Sequence, residues 1–109
     1  MAFTIWGKRE ELAKVAAHFQ LDYSSKKHRA FAQRVMRRGM KNWSTIKESQ
    51  AKVDPFGHKV YPVTINSPGL RLADFRQYLT EIADQWPGAE FLREFVYFLN
   101  DPFYAQETK

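Results

Sequence analysis

The sequence predicts a mainly α, small α+β domain: a compact bundle of four to five helices with one short β-hairpin or β-arm. Three observations carry that expectation. Apolar residues recur at helical spacing in several separate segments, whereas residues 59–65 are the best strand in the chain. A content of 44% hydrophobic and 16% aromatic residues excludes a disordered polar chain and supplies a core without staples. A length of 109 residues fits one domain, which is assigned to 1–104, with 105–109 as a flexible C-terminal tail.

Taken in order, residues 2–6 read as a short strand or extended arm ended by Gly7. Over residues 8–20, Leu12, Val15, Ala16 and Phe19 fall at i, i+3, i+4 and i+7, one stripe of an amphipathic helix. Residues 21–25 form a turn whose Asp or Ser caps a second helix over 26–42. On that helix Phe31, Ala32, Val35, Met36 and Trp43 project into one arc of about 140°, and Gly39 on the same side either permits close packing or marks an early end. Thr45 followed by Glu48 is a capping-box pattern for a short helix over 46–53. Residues 54–58 are a turn, and 59–65 form a strand that Pro62 confines to an edge or a lone arm, open to pairing with residues 2–6. Leu72, Phe75, Leu79, Ile82 and Trp86 mark the cleanest helical seam, stopped by Pro87-Gly88. Residues 91–99 are apolar almost throughout and read as a buried helix, with a strand as the rival because Phe-Val-Tyr-Phe has high β-propensity.

Charge is segregated along the chain. The 17 Lys and Arg exceed the 12 Asp and Glu to give +5, yet eight of the cations lie between residues 23 and 47, a stretch without an acid. The remaining nine cations face all twelve acids, so the rest of the chain carries −3. Lys26, Lys27, Arg34, Arg37, Arg38 and Lys41 project into a second arc of about 120°, apart from the apolar one. Solvated helix faces interleave Glu with Lys because like charges at i and i+4 repel, and Arg34 and Arg38 are such a repelling pair. Over roughly 22 Å of helix this face suits a row of phosphates.

The expected function is therefore non-enzymatic binding of nucleic acid, DNA or RNA. Lys26, Lys27, Arg34, Arg37, Arg38 and Lys41 are expected on phosphates, with Arg29 and Tyr23 as base or sugar contacts. Tyr23 reads equally as a stacking platform and as a core ring, and Trp43 reads as core. The competing reading is a small inhibitor or adaptor that docks the basic helix on an acidic protein partner. A lipid surface ranks below both, because the helix's apolar face is needed for the core. Since residues 91–99 would be apolar around nearly the whole helix, from Phe91 to Leu99, a homodimer through them is a further expectation.

Residues 12–38 resemble a helix-turn-helix. In outline they are similar to the units of bacterial transcription regulators, over about a quarter of the chain. Two residues depart from that pattern: Gln20 stands where such turns carry Gly, and Lys26 stands near an expected apolar position.

Catalytic signals are sparse. His18, His28 and His58 fit no metal-ligand spacing, there is no P-loop and no G-x-S-x-G, and no cofactor is expected. A small RNase pairing His28 with His58 as general acid and base is the catalytic alternative. Zero Cys excludes a disulfide framework, a thiolate nucleophile and Cys-ligated metal. No secretory leader and no membrane span are read in the sequence, so a cytoplasmic location is expected.

Overall fold

The computed structural model describes residues 2–108. Its strands are β1 (Ala2–Gly7), β2 (Lys52–Val53), β3 (Lys59–Asn66) and β4 (Ala105–Thr108). Its α-helices are α1 (Arg9–His18), α2 (Lys26–Arg37), α3 (Leu72–Gln85) and α4 (Glu90–Phe98). All four strands join in one antiparallel sheet of order β2-β3-β1-β4. The fold is thus α+β, and the expectation of a mainly α bundle with one hairpin or arm is overturned.

Strand alternation explains how the sheet makes a core. Phe3, Ile5 and Gly7 of β1 and Tyr61, Val63 and Ile65 of β3 point to one buried face. On the opposite face the paired Thr4 and Thr64 hydroxyls meet at 2.9 Å. The seam of α3 behaves as its spacing predicts: Leu72, Phe75, Leu79 and Ile82 are buried. Phe75 is the hub, with ring centroids 5.2 Å from Phe3, 5.9 Å from Phe31 and 6.4 Å from Phe19. Those partners come from β1, α2 and the end of α1, so one ring ties three other parts of the chain together.

Several boundaries differ from expectation, each for a local reason. Pro62 does not hold β3 at an edge, since β3 lies between β2 and β1. Its partner in register is Trp6, whose N–H points away from β3 and donates to Tyr104 O at 2.8 Å. Trp6 and Pro62 are therefore a non-hydrogen-bonded pair, and the proline nitrogen faces the side where β2, paired only with Lys59 and Val60, has already ended. Residues 46–53 form no α-helix: a 3-10 turn (Glu48–Gln50) runs into β2. Glu48 is drawn off to the Tyr61 hydroxyl at 2.5 Å and Lys59 at 3.3 Å, while Thr45 Oγ1 donates back to Asn42 O. Residues 105–108 are not a loose tail but the edge strand β4, paired with β1 from Ala2↔Thr108 to Ile5↔Ala105. Residue 109 lies outside the described residues.

The second helix ends five residues earlier than its pattern suggests. Gly39 adopts φ 152°, and a Cβ there would overlap the carbonyl of Thr64 on β3. Arg38 O accepts from Asn66 N at 3.1 Å, which fastens the break to the sheet. Residues Met40–Thr45 continue as a 3-10 turn, carrying Lys41 and Trp43 off the α2 axis.

Candidate nucleic-acid interface

The basic segment is positioned by the way α2 docks. Ser25 caps it, its hydroxyl accepting from His28 N. Phe31 stacks on Tyr78 of α3 with centroids 4.4 Å apart and planes at 13°. Buried His28 bonds through Nε2 to Glu81 Oε1 at 2.9 Å, and the Lys27 ammonium lies 3.4 Å from the same oxygen and 5.1 Å from the Tyr78 ring. Glu81 is held below the ordinary carboxylate range chiefly by that His28 bond.

Docking splits the predicted cationic arc. Lys27 is tied to α3, and Arg34 donates to the buried Ser67 hydroxyl and to Pro68 O. Those two cations brace the fold. Among the described residues Lys26, Arg29, Arg37, Arg38 and Lys41 form no ion pair, and all five are exposed. The outward surface is therefore rotated from the predicted arc toward the row Lys26, Arg29, Gln33 and Arg37, spaced three, four and four residues apart.

Arg29, Gln33 and Arg37 of that row border an open cleft of about 660 Å³ between α2 and residues 19–23. Arg29, Arg37 and Lys41 supply its positive charge; Phe19 and Met36 supply apolar lining; Gln20 and Gln33 supply amides. Asp22 is its single carboxylate. Arg29 Nη1 donates to Tyr23 O at 3.1 Å, which holds its guanidinium at the cleft. Tyr23 itself is not a stacking platform. It is 3% exposed, its hydroxyl donates to His18 O, its ring meets Trp86 edge-on at 5.4 Å, and burial pushes its hydroxyl up to about 12. Gln20, Gln33 and Met36 were not among the expected contacts, although the i, i+4 row Arg29, Gln33, Arg37 is visible in the sequence.

The helix-turn-helix outline is not realised. Seven residues separate α1 from α2, against the three or four of such turns, and Leu21 between them is 36% exposed. Nor are the two histidines of the catalytic alternative brought together: His28 pairs with Glu81 on α3. His58 sits in the β2–β3 turn with Nδ1 3.9 Å from Asp54 Oδ2, lining a different cavity. Asp54 is buried, which would raise its pKa, but bonds from His58 N–H, the Tyr104 hydroxyl and Phe56 N–H bring it below the ordinary carboxylate range. Among the described residues no group of three His, Asp or Glu side chains gathers to hold a metal, and no helix is long and apolar enough to cross a membrane. In α4, Leu92 and Phe95 are buried and Tyr97 is 73% exposed, so the helix is not buried all round.

Comparison of the chain with protein-family models, with curated proteins and with solved structures returns no significant match.

Proposed function

We propose that the protein binds nucleic acid without catalysis, through Lys26, Arg29, Arg37, Arg38 and Lys41 on α2 and the following 3-10 turn. One observation carries the reading: these five cations are exposed and unpaired with carboxylates among the described residues. By contrast Lys8, Arg9, Lys27, Lys59 and Arg93 each meet an acid, and Lys14, Lys47 and Arg71, exposed and without an ion pair among the described residues, lie outside residues 26–41. An unpaired, one-signed surface raises the local potential and collects polyanions. Phosphates need no more than this, since Arg offers parallel donors and Lys a point charge. A cytoplasmic location goes with the reading.

The test is displacement. A labelled oligonucleotide bound at about 50 mM salt is challenged with poly-glutamate of equal charge. Nucleic-acid recognition predicts that unlabelled oligonucleotide displaces it at far lower concentration than the peptide does. Equal displacement, or tight peptide binding with no oligonucleotide binding, would favour an acidic protein partner instead.

A further inference from the structure

We propose that the cleft beside α2 takes one unstacked base of a single-stranded RNA or DNA, with the neighbouring phosphates on Arg29, Arg37 and Lys41. The proposal rests on the nucleic-acid reading above and narrows it to single strands. Its first support is shape. The three cations lie along one wall of an open cleft of about 660 Å³, so the charge borders a recess and leaves the facing wall, residues 19–23, free of cations. A duplex presents phosphates on a convex surface and keeps its bases in the stack, where filling such a recess requires extruding one. A single strand offers the base already free.

The second support is the chemistry of the walls. Phosphate alone has no use for apolar lining, yet the exposed Leu21 and the half-buried Met36 contribute it here, and Met adapts its shape to a flat apolar body. Nor would a polyphosphate favour Asp22, whose carboxylate repels it, while the Gln20 and Gln33 amides can both donate and accept. A base edge does favour them, because it alternates donors and acceptors as amides do, and a carboxylate accepts from an exocyclic amine or a ribose hydroxyl. The combination of cations, apolar lining and amides in one recess is therefore matched by a nucleotide within a strand.

The third support is preorganisation. The Arg29 guanidinium is held by Tyr23 O at 3.1 Å, and the Tyr23 hydroxyl is fixed on His18 O, so less side-chain freedom is lost when a phosphate arrives. Lys26, three residues before Arg29 on α2 and exposed, extends the positive surface past one end of the recess, where the strand would continue.

Fluorescence anisotropy on the full chain tests this with three probes of equal length: a labelled single strand, its duplex, and a fully abasic phosphodiester strand. The single strand is expected to bind about fivefold tighter than either of the others, the worth of one hydrogen bond to a base edge. Gln20→Ala with Gln33→Ala, both exposed positions, is expected to erase most of that preference while leaving the melting temperature and the salt slope unchanged. Equal binding of all three probes by the wild type would overturn the base-insertion proposal and leave phosphate binding standing. Failure of every probe to bind folded protein at about 50 mM salt would overturn both.

Discussion

At the scale of single residues, the fold depends on backbone positions that side-chain patterns do not reveal. Gly39 stops α2 because only a residue without Cβ can lie against the Thr64 carbonyl at φ 152°. Gly39→Ala is expected to cost at least about 3 kcal/mol, combining left-handed strain with a backbone clash, or to prevent folding. Gly57→Ala, at φ 81° with open space around it, is expected to cost only about 1 kcal/mol. Urea denaturation of the two variants checks the contrast, and equal losses would refute the close approach. Tyr23 and Tyr104 provide a second residue-level expectation. Burial pushes both hydroxyls up to about 12, with Asp54 adding to the shift at Tyr104. A group raised in the folded state stabilises fully below its unfolded value, about 10, and loses that stability as pH rises through the folded one. Alkaline unfolding should therefore set in between pH about 10 and 12 and coincide with tyrosinate absorbance. Tyrosinate absorbance amounting to all five tyrosines developing near pH 10 without unfolding would contradict the burial of these two rings.

At the scale of elements, α2 serves two purposes on two flanks. Its inner flank docks on α3 through Phe31, Tyr78, His28 and Glu81. Since Glu81 is depressed in the folded state, its contribution is present above the unfolded carboxyl value, about 4.3, and fades as pH falls through the lower folded one. The melting temperature of Glu81→Gln is expected to fall less steeply than that of wild type below pH about 4; parallel curves would remove the pair from the docking. The helical seams were legible from spacing because α1 and α3 each bury one stripe. The end of α2 was not, because Gly39 is explained by a strand twenty-five residues away in sequence. β4 was hidden for a related reason: Ala-Gln-Glu-Thr is short and polar, and its partner β1 lies at the other end of the chain. Deleting residues 105–109 is accordingly expected to destabilise the protein by on the order of 2 kcal/mol, through lost ladder hydrogen bonds. An unchanged melting temperature would mean that β4 holds nothing in place.

At the scale of the whole molecule, charge placement was readable from the chain but its use was not. Eight cations in an acid-free stretch announced a basic surface, yet the groups that engage two of them come from afar. Glu81 on α3 takes Lys27, and the Ser67–Pro68 corner takes Arg34. What remains is a smaller, rotated set beside a cleft, which a helical projection alone does not yield. The salt dependence of single-strand affinity tests this division most directly. If the five exposed cations each neutralise one phosphate, the slope of log affinity against log salt is about −3.5 on a single strand, from about −0.7 per phosphate. Arg37→Glu with Lys41→Glu should make that slope shallower by about 1.4 or more at an unchanged melting temperature. A variant that binds with the wild-type slope would contradict the account, since the charge would then be spent elsewhere.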